Sequence, residues 1–151
     1  MAVKVELELG GAGVLFTYSD VLKGEEAVTA STEIYMPEIL ENLRYQIADL
    51  SDVNRIEVTA EQIRQLAEAD KKAAQYRHGF LIASVVNHDL QGGLSRFYRT
   101  YAQDPHIETA IFKTISEARQ WLRKTLASRG FELSLDKKED APTEKIVDAP
   151  V

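Results

Sequence analysis

Asp49, Ser51, Asp52, Glu57 and Thr59 bring three carboxylates and two hydroxyls into one short stretch of the chain. A carboxylate beside a hydroxyl can serve as a general base, and a hydroxyl at a helix start can receive a phosphoryl group, because the positive end of the helix dipole favours an anion. The base chemistry lacks a partner here, since neither a second acid nor an activated nucleophile stands at a matching spacing, so no catalytic residue is assigned. Thr59-Ala60-Glu61-Gln62 has the spacing of a capping box, in which the threonine caps the following helix and the glutamine reaches back. A phosphate on Thr59 would replace that cap and press on Asp52, Glu57 and Glu61.

A second group, Gly92, Gly93, Ser95, Arg96 and Arg99, follows the most apolar run of the chain. Free backbone N–H groups and guanidinium groups there could meet a ligand anion beyond the end of a central strand. Ser95 lacks the Gly-x-Ser-x-Gly setting of a hydrolase nucleophile. His78, His88 and His106 fall in three separate loops, with no pairing at ligand spacing, and cysteine is absent, so the expectation is no metal and no cofactor. Gly10-Gly11-Ala12-Gly13 leads into another strand without a Lys-Ser/Thr pair, which reads as a hairpin turn and not a phosphate loop.

The elements that must hold these groups follow from periodicity. Val3, Val5, Leu7 and Leu9 alternate with polar residues, and Val14 to Tyr18 resumes after the glycines as the second strand of a hairpin. Glu25 to Met36 is a first helix, ended by Pro37. Leu43 to Leu50 reads as a third strand that gives way to a polar loop. Ala60 to about Arg77 is a helix with a narrow apolar stripe of Ile63, Leu66, Ala67, Ala73 and Ala74. Phe80 to Val86 is a central strand, Leu90 to Tyr101 a helix, and Ile107 to Phe112 a fifth strand. Thr114 to Glu117 has capping-box spacing before a last helix that ends near Gly130, and Trp121 seals it against the body. The fold class is α/β, a mixed sheet of about five strands with about four helices packed on it.

The 151 residues, 44% hydrophobic and 28% charged, suffice for one core. A formal net charge of -6 gives no general attraction to phosphate backbones, which argues against nucleic acid. The N-terminus alternates and so lacks the apolar core of a signal peptide, and no run reaches the roughly 18 to 20 apolar residues of a membrane span. The expectation is a soluble cytoplasmic protein with a domain over residues 1–130. Residues 131–151 are expected to form a short edge strand, Phe131 to Leu135, and then a disordered charged tail.

With these motifs in place, the order of elements resembles the STAS domain, the fold of the sporulation anti-sigma-factor antagonists (SpoIIAA-like). The local match is Ala48-Asp49-Leu50-Ser51-Asp52-Val53 followed by Ile56-Glu57-Val58-Thr59-Ala60. The chain is more closely similar to a STAS/SEC14-like subgroup of small uncharacterised bacterial proteins, through Gly24 to Glu26, Leu66 to Lys71, Gly93 to Arg96 and Phe112 to Leu122. The resemblance covers about residues 3–127. It implies a non-enzymatic regulatory or protein-interaction module in bacterial signalling, with Thr59 as phosphoacceptor and Asp49, Ser51, Asp52 and Glu57 as partner contacts. It also leaves open a small-molecule or lipid-binding module. That alternative needs an apolar pocket of a few hundred cubic ångströms between the central strand and Gly92 to Tyr101, with Arg96 or Arg99 at its mouth. Val58, Ala60 and Glu61 depart from the signalling signature where it has serine, glycine and leucine. A homodimer through an exposed edge strand is a further expectation.

Overall fold

The alternating residues at the start form β1 (Val3–Glu8), and a tight turn at Leu9–Gly11 returns the chain as β2 (Gly13–Lys23), antiparallel to β1. Leu9, Gly10 and Gly11 all take positive φ, at 56°, 66° and 98°, which glycine supplies without strain at two of the three positions. Leu9 therefore leaves the alternation and packs with the opposite cluster from Val3 and Val5. The structure is a computed structural model that describes residues 3–76, 79–131 and 144–148.

The chain continues through α1 (Gly24–Ile34), α2 (Pro37–Leu40), β3 (Tyr45–Glu57), α3 (Ala60–Ala74), β4 (Phe80–Val85), α4 (Asp89–Tyr101), β5 (Ile107–Phe112), α5 (Ile115–Ala127) and β6 (Glu144–Asp148). The strands form one sheet in the order β5-β4-β3-β2-β1-β6, parallel from β2 to β5 and antiparallel at β1 and β6. This is the α/β mixed sheet expected from the sequence, with one more strand and one more short helix. Pro37 opens α2 at its first position as well as ending what precedes it, since its missing N–H has no role there. Within the stretch expected to be a disordered tail, Glu144–Asp148 pairs with the free side of β1, where unsatisfied backbone groups offer a template. The edge strand expected at Phe131 to Leu135 lies, after Phe131, outside the described residues.

β3 departs most from expectation. The polar loop expected after Leu50 is a continuation of the strand to Glu57, paired with β2 throughout. The register passes from Thr17↔Asp49 to Ser19↔Asp52, and from Asp20↔Val53 to Val21↔Arg55, so β3 carries one extra residue at each of two bulges. Each extra residue converts a period of two into a step of three. Leu50, Val53 and Ile56 consequently all reach the same apolar cluster.

Alternation on the strands divides the core between the two sheet faces. Val14, Phe16, Leu50, Phe80 and Ile82 pack against α1, α3 and α4 on one face, while Tyr45, Ile47, Leu81, Ala83 and Val85 pack against α5 on the other. Trp121 of α5 lies on Phe112 with ring centroids 5.5 Å apart. Thr114 Oγ1 accepts from the N–H of Glu117 at 3.1 Å, but the Glu117 carboxylate takes the N–H of Lys113 instead of returning to Thr114, so the capping there runs one way.

A buried ion pair ties this second layer to the first hairpin. Arg119 of α5 donates from both terminal nitrogens to Glu8, at 2.6 and 2.9 Å, and the Tyr45 hydroxyl donates to the same carboxylate. Glu8 is fully buried. Burial alone would lower the Arg119 pKa, yet the Glu8 carboxylate holds it above the ordinary value. Gly13 leaves room for the Tyr45 ring: a Cβ built at Gly13 would lie 2.0 Å from Tyr45 Cζ.

Candidate functional site

A cavity of about 70 Å³ lies between the sheet and the layer of α1, α3 and α4. Strand alternation turns Gln46, Ala48 and Leu50 of β3, with Ile82 and Ser84 of β4, toward it. Helical spacing brings Ile63, Leu66 and Asp70 of α3 to the same side, and Leu94, Ser95 and Tyr98 of α4 close it. Most of the wall is apolar, with Leu22 and Val58 added to these. Its volume is several times what one water needs, and well below a drug-sized pocket.

At one end a polar cluster surrounds Asp70, which is only 3% exposed. The Tyr98 hydroxyl donates to Asp70 Oδ2, and the Tyr35 hydroxyl to Oδ1 at 2.5 Å. Tyr35 also touches the side-chain amide of Gln46. A phenol has one proton, so Tyr35 cannot donate to both; the consistent arrangement has the Gln46 NH₂ group donating to the Tyr35 oxygen and Tyr35 donating to Asp70. Burial pushes the Asp70 pKa from 3.8 up to about 6, against the two phenol hydrogen bonds, which pull it down. Burial likewise raises Tyr98, Tyr35 and Tyr18, and the Asp70 charge adds to each.

Ser95 supplies the second polar feature. It is 3% exposed, and its Oγ has no hydrogen-bond partner among the described residues. Buried polar groups are nearly always paired, so a hydroxyl left open on a cavity wall marks a place where an occupant can be held. Among the described residues lining the cavity there is no lysine, arginine or histidine. Asp70 also forms no salt bridge among the described residues.

The structure separates the residues singled out in the sequence. Thr59 caps α3 with a two-way box, its Oγ1 accepting from Gln62 N–H at 3.1 Å and its N–H donating to Gln62 Oε1 at 2.9 Å. Asp49 Oδ1 accepts from the N–H and hydroxyl of Ser51, at 3.0 and 2.7 Å, within β3. Asp52 is exposed, and Glu57 is exposed and paired with Arg55 at 2.7 Å. None of these five lines the cavity.

Of the second group, Ser95 alone lines the cavity. Gly92 is buried in the first turn of α4 and Gly93 faces open space. Arg96 and Arg99 do not stand at the cavity mouth; they line an outer groove with Thr100, Gln103, Asp104 and Thr109, where Arg99 Nε donates to Thr109 Oγ1 at 3.1 Å. Arg96 is turned about 100° around α4 from Ser95, and Arg99, one turn beyond Ser95, is held outward by its hydrogen bond to Thr109 of β5. His78 lies outside the described residues, and among the described residues no cluster of metal-ligating side chains forms.

Gln46, Asp70 and Tyr98 were missed in the sequence reading. Asp70 carried a readable signal: a carboxylate four residues after Leu66 and three before Ala73, within the apolar stripe of α3.

No family model matches this chain, and no curated protein matches it. Among solved structures, the chain is similar to an uncharacterized protein of the DUF3478 family with a SpoIIAA-like fold from Shewanella loihica PV-4. The TM-score is 0.46 and the identity 16%, over 80% of this chain and 92% of that one. Among the described residues, no helix is long and apolar enough to cross a membrane. The SpoIIAA-like fold of that protein is the type of fold the sequence resembles.

Proposed function

We propose that this domain is a non-enzymatic binding module that takes a small, mainly apolar molecule into the cavity between the sheet and α1, α3 and α4. The observation that carries this reading is the Ser95 hydroxyl, buried and without a partner among the described residues, on the wall of an otherwise largely apolar cavity. Apolar side chains supply affinity by giving up contact with water, and a few placed polar groups fix orientation. Very small ligands can gain up to about 1.5 kcal/mol per non-hydrogen atom, so a molecule of a few such atoms can bind usefully in a space of this size.

The reading favours the small-molecule alternative over partner signalling through Asp49, Ser51, Asp52, Glu57 and Thr59, none of which lines the cavity. The pocket is smaller than a lipid tail requires, which narrows the ligand. The test is titration with butanol, followed through the backbone amide NMR spectrum, in the natural protein and in an Ala48→Leu variant that fills the space. Saturable shifts at cavity residues that vanish in the variant support the module; equal shifts in both remove it.

A further inference from the structure

The Asp70 carboxylate and the Ser95 hydroxyl line one cavity from α3 and α4; among the described residues Asp70 has no cation beside it and Ser95 Oγ has no hydrogen-bond partner. We infer that the ligand of this cavity is a small apolar amine, its ammonium group held by Asp70 and Ser95 and its hydrocarbon part against Leu50, Ile63, Ile82 and Leu94. This inference rests on the reading of the cavity as a ligand site and adds the charge of what enters.

The electrostatics select the class. A carboxylate taken out of water is costly unless it is paired, and two phenol hydrogen bonds offset that cost only in part. An ammonium brings the missing positive charge and up to three donors, of which Asp70 and Ser95 can each accept one. An alcohol brings one donor without charge. A carboxylic acid or phosphate would set its own negative charge against Asp70 with no cation among the described residues of the wall, which disfavours fatty acids and phospholipid headgroups on charge as well as size. The groups facing Asp70 are Tyr18 of β2, Tyr35 between α1 and α2, Gln46 of β3 and Tyr98 of α4, all uncharged at neutral pH.

Butylamine, butanol and butyrate form a matched set of probes for NMR titration at pH 7.5. The expected order is amine, then alcohol, then acid, with about a fivefold to tenfold gap between the first two, the difference between a charged and a neutral hydrogen bond. Asp70→Asn should remove the preference for the amine, bringing the affinities for butylamine and butanol within about threefold of each other. In the natural protein, amine binding should weaken as the pH falls far enough to protonate Asp70, while butanol binding holds constant; this arm needs no variant. Butyrate binding as well as butylamine, or an amine preference that survives Asp70→Asn or acid, overturns the inference and leaves the cavity a ligand site. Failure of all three probes overturns the ligand site itself and the inference with it.

Discussion

The hydroxyl of Tyr98 on α4 donates to Oδ2 of Asp70 on α3, joining two helices across the rim of the cavity. Tyr98→Phe deletes that donor and leaves a buried carboxylate oxygen short of a partner. The expected loss is about 1 to 3 kcal/mol of unfolding free energy, measured by urea denaturation at pH 7. Tyr76→Phe, at a residue 50% exposed, should stay within about 0.5 kcal/mol of the natural protein.

Asp70 makes stability depend on pH in a direction opposite to a salt-bridged carboxylate. Its folded pKa is raised from 3.8 to about 6, so between those values the folded state binds more protons than the unfolded one, and stability falls as pH rises. The penalty is absent below about pH 4, fully present above about pH 6, and amounts to about 3 kcal/mol. Asp70→Asn lacks this dependence. The difference in urea midpoint between the two proteins should therefore move in favour of the variant as pH goes from 4 to 7; a constant difference would refute the assignment.

Arg119→Leu isolates Glu8 without its cation in a fully buried position. The expected cost is about 3 to 5 kcal/mol, because the remaining charge has no solvent to replace its partner. The double variant Glu8→Leu/Arg119→Leu should recover part of that loss by urea denaturation, since removing both charges also removes the unpaired one.

The β1–β2 hairpin, α3 with its cap, β4 and β5 were legible because each has an unbroken period or a local signal, as at Thr59 and Gln62. β3 was not legible beyond Leu50. Its spacing of three at Leu50, Val53 and Ile56 fits neither a flat strand nor a helix, and only pairing with β2 across two bulges gives it meaning. Ser95 was visible as a residue of interest, but which side of α4 it faces depends on where that helix rests on the sheet. Glu8 and Arg119 are 111 residues apart, a separation that no local pattern bridges.

Thr59→Ala removes the side-chain acceptor that satisfies the Gln62 N–H at the start of α3. About 1 kcal/mol of stability should go with it, whereas Thr59→Asp keeps an acceptor and should remain close to the natural protein in thermal unfolding.

The most direct measurement is of intermolecular nuclear Overhauser effects between bound butanol and the side-chain methyl groups of the protein. Contacts from the butanol methyl group to Ile63, Ile82 and Leu94 place the ligand in the cavity, as the account predicts. Contacts confined to exposed apolar residues such as Met36 and Phe97, or none at saturating butanol, would contradict it.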